Sequence, residues 1–146
     1  MHGKTFKEIS VGDTASFQKT ITETDVYMYS GITGDINPAH INEEFMKTSM
    51  FKGRIVHGML TAGLVSAVLG MRLPGPGTIY LGQTLEFTAP VRFGDTILAE
   101  VEVLKKTDKK KNVVLNTICT NQDGKVVLRG QATVLPPQNN ESMNSK

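Results

Sequence analysis

The sequence predicts an α+β fold in which a curved antiparallel sheet wraps around one long central helix. Three observations carry that expectation. Residues 58–72 are apolar around nearly the whole circumference of a helix, strand and short-helix signals precede them, and four β-rich runs follow at 78–88, 95–105, 113–121 and 125–135. One strand, a helical half and then consecutive strands joined by turns is an α+β order.

Each element has its own local reason. Val11-Gly12-Asp13 turns the chain into a strand over residues 15–21. Thr22-Glu23-Thr24-Asp25 supplies hydroxyl and acidic groups for the free N–H groups of a helix start, and Gly34 ends that helix. Pro38 forbids a continuous helix through 35–40 and biases Asn37 toward extended backbone. A short helix over 42–48 takes Asn42 as its cap.

The main helix begins at Gly58 and is about 22 Å long at 1.5 Å per residue. Apolar on all sides, it is expected to be wrapped by protein. Leu73-Pro74-Gly75-Pro76-Gly77 stops it. Asp123-Gly124, flanked by β-branched residues, marks a hairpin. Lys109-Lys110-Lys111 reads as the solvated tip of another, where charge discourages edge pairing. Residues 1–135 form one expected domain, and 136–146 a polar tail expected to be disordered. A sheet with one face on the helix keeps another face and an open edge, so dimerisation is an expectation.

Composition narrows the functional classes. The chain has 146 residues, 39% hydrophobic and 21% charged, with a net charge of +2. That charge is too small and too scattered to point to nucleic acid. The single cysteine, Cys119, calls for no disulfide and reads as a buried thiol in a strand. MHGKTFKEIS lacks the apolar core of a secretory signal, and the apolar stretch at 59–69 is far short of the ~20 residues that span a bilayer. The expectation is a soluble cytoplasmic protein with no membrane partner.

The chemistry gathers in Thr33-Gly34-Asp35-Ile36-Asn37-Pro38-Ala39-His40 and in His57-Gly58. As structure alone, Asp35 is a turn acid after a helix-ending glycine, and His40 is a partly buried polar residue. Pro38 stiffens the backbone between them, however, and Asn37 offers an amide to orient either one. Imidazole titrates nearest neutrality, and a nearby carboxylate can hold it in one tautomer. The His57 side chain reads as a satisfied core residue at the helix head. Gly58 there has an N–H without an intrahelical partner, on the positive end of the dipole, and no side chain to obstruct a substrate carbonyl. That is an oxyanion-type donor. Thr61 and Ser66 read as mid-helix hydroxyls bonded back to the carbonyl four residues earlier. Ser66, a little over two turns beyond Gly58, can also share its face.

These motifs, with Arg54-Ile55-Val56-His57-Gly58-Met59-Leu60, Ile79-Tyr80-Leu81-Gly82-Gln83 and Pro90-Val91-Arg92-Phe93-Gly94-Asp95, resemble the hydratase-2 signature and its flanks. The chain is similar to the MaoC-like family over roughly residues 9–135, and within it to the single-domain (R)-specific enoyl-CoA hydratases. The resemblance implies the hot-dog fold, a homodimer, and reversible hydration of a trans-2-enoyl-CoA to a (3R)-3-hydroxyacyl-CoA. It implies Asp35 and His40 as the catalytic pair and the Gly58 amide as the holder of the thioester oxygen. For substrate binding it implies Asn37, His57, Ser66 and Leu69, the last lining the acyl pocket. It implies no metal and no cofactor, since the CoA thioester substrate itself acidifies C2. Three readings stay open beside it: a dehydratase of acyl-carrier-protein thioesters, a hot-dog thioesterase, and a non-catalytic acyl-CoA-binding module.

Overall fold

The structure is a computed structural model that describes residues 2–138; of the tail expected to be disordered, 139–146 lie outside those residues. The elements run β1 (Thr14–Thr20), α1 (Glu23–Thr33), α2 (Pro38–Ile41), α3 (Glu43–Met46), α4 (Gly58–Met71), β2 (Ile79–Gln83), β3 (Glu86–Phe87), β4 (Thr96–Thr107), β5 (Asn112–Thr120) and β6 (Val126–Leu135). All the pairings are antiparallel, in the order β1-β4-β5-β6-β2, with β3 also on β6.

Alternation along the strands decides which face meets α4. Ile97, Ala99, Val101 and Val103 of β4 are buried, as are Val113, Leu115, Thr117 and Cys119 of β5. All but Thr117 meet Leu64, Val65, Val68 and Leu69 of α4 in one hydrophobic cluster. Burial pushes the Cys119 thiol up to about 12, so it is an inert packing group.

The expectation that α4 is wrapped all round is corrected. Its sheet face is buried, but Met59, Gly63, Ser66 and Met71 are exposed on this chain. The sheet curves over one side of the helix only. At one end of the sheet, the edge strand β2 exposes Ile79, Tyr80 and Leu81.

The helical half differs from expectation in one instructive place. Thr22 caps α1 in a full capping box with Asp25, and Gly34 closes it with φ 82°, as the hydroxyl, acid and glycine foretold. Pro38 interrupts the helix as expected, with 34–37 outside any helix, and itself opens a one-turn helix at its first position, capped by the Asn37 side chain. Proline's missing N–H costs nothing there and its fixed φ suits the helix. The predicted helix over 42–48 is the single turn α3, and Asn42 both closes α2 and caps α3. At the β4–β5 tip Lys109, Lys110 and Lys111 are all exposed as expected, and the Lys111 ammonium lies 5.0 Å from the Phe6 ring centre.

The run expected as one strand over 78–88 splits at Thr84, where the chain crosses directly over Gly130 of β6. Thr84 N–H donates to the Gln131 carbonyl (2.9 Å), and Gln131 N–H donates to Thr84 Oγ1 (2.9 Å). A Cβ at Gly130 would lie 1.8 Å from the Thr84 carbonyl oxygen. Gly130→Ala is therefore expected to destabilise the protein by about 3 kcal/mol through overpacking. Urea unfolding reads this directly, and an unchanged midpoint would contradict the crossing.

Candidate active site

Two short segments meet at the head of α4. The first is the Asp35–His40 turn. Asn37 N–H donates to Asp35 Oδ1 (3.3 Å), and the Asn37 side chain accepts from Ala39 N–H (3.0 Å). The second is 55–57, clamped from both sides: Ile55 N–H donates to the Ala39 carbonyl (3.0 Å) and Val56 N–H to the Val91 carbonyl (2.8 Å). The segments are further joined through their histidines. His40 Nδ1 lies 2.7 Å from the Ile55 carbonyl, and His57 Nε2 lies 3.1 Å from the Asp35 main-chain carbonyl. A carbonyl only accepts, so each of those ring nitrogens carries the proton. For neutral rings, His40 Nε2 is left as a free base and His57 Nδ1 as an unprotonated acceptor.

The two imidazoles stack with centres 3.7 Å apart and planes inclined by 27°. Burial is the main cause that holds His57 below its ordinary value of 6.5; the Asp35 carbonyl pulls the other way and the neighbouring His40 ring lowers it further. Asp35, His40 and His57 each bring one possible metal-ligating atom within 4.8 Å of the others. The rings nevertheless lie nearly face to face, and the lone pairs of stacked rings run side by side rather than toward a common ion. This geometry suits proton handling better than metal coordination.

A cavity of about 470 Å³ opens on these groups, lined among others by Asp35, His40, His57, Gly58, Met59 and Phe87. Its volume falls within the range of roughly 300–1,000 Å³ typical of small-molecule sites. Gly58 is the first residue of α4. A Cβ there would come within 2.6 Å of Cε1 of Phe87, so the ring sits where any side chain would be. Gly58 itself lines the cavity, and as the first residue of the helix its N–H has no intrahelical partner.

Asp35, His40, His57 and Gly58 thus come together around one cavity. Asn37 is exposed and serves as the cap of α2. Ser66 points to the open side of α4 and is not among the cavity residues. Leu69 is 1% exposed within the core and is not among the cavity residues. Thr61 does line the cavity, and its Oγ1 is buried without a partner, so the back-bond expected of it is absent. Sequence reasoning missed Ser30, whose Oγ lies 3.1 Å from His57 Nε2, and the wall residue Phe87. It also missed the role of Arg54. That guanidinium bonds Glu23 of α1 (2.7 Å), Glu43 of α3 (2.9 Å) and Tyr27, tying the helical half to the loop before α4. The nearest signals were the odd Arg in an apolar loop and Glu23 in the first turn of α1.

A sheet curved over one face of a long helix, with the helix head, an acid and two imidazoles on one largely apolar cleft, defines a hot-dog protein. The chain belongs to the MaoC-like domain family, whose sequence model matches residues 8–123. It is 54% identical over 132 residues to an (R)-specific enoyl-CoA hydratase of Rhodospirillum rubrum, covering 90% of this chain and 91% of the relative. A second (R)-specific enoyl-CoA hydratase, from Aeromonas caviae, is 40% identical over 90% of this chain and 98% of its own. Among solved structures, the unliganded R-hydratase PhaJ1 of Pseudomonas aeruginosa superposes with a TM-score of 0.88 at 43% identity, covering 94% of this chain and 88% of that one.

The lowered affinity of His57 for protons has a stability consequence. The folded state keeps the ring neutral where the unfolded chain protonates near 6.5. Its contribution is therefore complete above that value and is lost as pH falls from there toward the folded value. Between about pH 7 and 5.5, the melting temperature of the wild-type protein is expected to drop more than that of His57→Phe, whose ring takes no proton. Equal slopes in differential scanning fluorimetry would contradict this.

Proposed function

We propose that this chain catalyses the reversible hydration of trans-2-enoyl-CoA to (3R)-3-hydroxyacyl-CoA, with Asp35 and His40 as the proton-handling pair and the Gly58 N–H as the donor to the thioester oxygen. The chain is a hydro-lyase of the (R)-specific enoyl-CoA hydratase type. The observation that carries the residue roles is the meeting of Asp35, His40 and the head of α4 on one cavity.

The geometry supports a simple mechanism. A water between the Asp35 carboxylate and the free Nε2 of His40 gives up a proton as its oxygen bonds to C3. The C2–C3 π electrons move onto the thioester as an enolate, whose oxygen accepts from the Gly58 N–H on the positive end of α4. A proton delivered to C2 from the same pair completes the addition. The His40 tautomer set by the Ile55 carbonyl makes Nε2 the base in the hydration direction. The acyl chain runs along the wall formed by Met59 and Phe87.

The partner is an acyl-CoA, and the protein works as a homodimer. The open face of α4 and the apolar edge of β2 support that assembly: the first exposes Met59 and Met71 and the second Ile79, Tyr80 and Leu81, which a second copy would cover. Packing two such faces places Ser66 between the subunits. Ser66→Arg is expected to convert the dimer to monomer in sedimentation velocity, and a wild-type protein that sediments as a monomer would overturn this assembly.

Asp35→Asn and His40→Ala are each expected to lower kcat on crotonyl-CoA by about 10²–10⁴-fold while the circular dichroism spectrum is preserved. Near-native rates in either variant would overturn the assignment of the pair. Release of free CoA thiol would instead reveal a thioesterase, and faster turnover of the carrier-protein thioester a dehydratase of that carrier.

A further inference from the structure

His57 lies at the centre of the site without a free face. It is 2% exposed. The His40 ring stacks on it at 3.7 Å and the Tyr29 ring lies 4.7 Å away at 57°. Its Nε2 is held by two oxygens, Ser30 Oγ and the Asp35 carbonyl, each at 3.1 Å. Its Nδ1 is buried without a partner. A group so enclosed has little to offer a substrate directly.

We propose that His57 is a positioning residue: as a neutral ring protonated on Nε2, it pins the main chain of Asp35 and backs the His40 ring, so that the carboxylate and the imidazole keep one mutual geometry. This assigns His57 to alignment instead of the substrate binding expected from the sequence. It rests on the reaction proposed above.

Three features support it. The Asp35 carbonyl takes its bond from His57, so the turn carrying the carboxylate is tethered to the head of α4, where the thioester oxygen is to be held. The tautomers of the two rings are opposite: His40 donates through Nδ1 and His57 through Nε2. Each is therefore fixed by a main-chain carbonyl of the other's segment. The stack also matters electrically. His40 becomes cationic when it takes the water's proton, and a neutral ring beneath it tolerates that charge, whereas a second cation 3.7 Å away would oppose it. The titratable groups that act on His57 are His40 and Asp35, with the Tyr29 ring packed beside it.

The test separates donor from ring. His57→Phe keeps a flat ring against His40 and deletes the Nε2 donor, while His57→Gln returns an amide N–H near the Nε2 position. Because small misplacements of reacting groups cost up to about 100-fold, His57→Phe is expected to lower kcat by about 10–100-fold with KM within about twofold. His57→Gln is expected to recover most of that loss. A raised KM at unchanged kcat would mean a substrate-binding group and overturn the proposal, as would full activity in His57→Phe. Histidine ¹⁵N resonances of the resting wild-type protein provide a second measurement that needs neither variant nor substrate. They are expected to show His57 protonated on Nε2 alone at neutral pH; an Nδ1–H tautomer or a charged ring would overturn the proposal. A wild-type protein that hydrates no enoyl-CoA defeats the proposed reaction and leaves the resonances to judge His57.

Discussion

The site depends on the reciprocal bonding of two main-chain segments through their histidines. The His40 ring bonds the Ile55 carbonyl and the His57 ring bonds the Asp35 carbonyl, with the backbone bond from Ile55 to Ala39 between them. Loops far apart in sequence are otherwise free to drift, and general acid–base chemistry needs its groups within hydrogen-bond reach of one proton. Here carbonyl oxygens serve as the fixed points. They choose the tautomer of each ring, and the choice leaves a basic nitrogen on His40 where the cavity opens.

The rest of the fold can be understood as support for that junction. The sheet packs α4 by one face through Leu64, Val65, Val68 and Leu69, which aims the helix head at the Asp35–His40 turn. Phe87, on the short β3, reaches the same point only because the chain crosses over Gly130 between β2 and β3. Arg54 fastens α1 and α3 to the loop before α4 through Glu23 and Glu43. These ion pairs are largely solvated and contribute more to placement than to stability. Leaving α4 open on its other side has a different consequence: the helix presents Met59 and Met71 where this chain alone does not cover it, which supports the proposed dimer.

The site was partly legible in the sequence because its chemistry is local. Asp35, Pro38 and His40 share one turn, and Gly58 follows His57 directly, so residue type and spacing were enough to single them out. Ser30 and Phe87 carry no such signal. A serine in the last turn of a helix, and a phenylalanine in a two-residue strand, acquire their roles only when α1 and β3 converge on the head of α4. Ser66 and Leu69 show the converse. Helical spacing put them within reach of the Gly58 face, but the sheet claims Leu69 and solvent on this chain claims Ser66. Periodicity tells which residues share a stripe and leaves open what the stripe meets.

Patterning alone determined the α+β order, the long apolar helix, the strand runs, the capping of α1 and the pairing of an acid with an imidazole, since each follows from side-chain chemistry within a few residues. Tertiary structure decided which face of α4 the sheet covers, which nitrogen of each histidine is free, and which ring wall stands beside Gly58. Those outcomes rest on contacts between segments 15 to 30 or more residues apart, such as His40 with Ile55, His57 with Ser30 and Gly58 with Phe87. No local propensity encodes a contact of that kind; packing and the need to satisfy buried polar groups select it once the chain has closed.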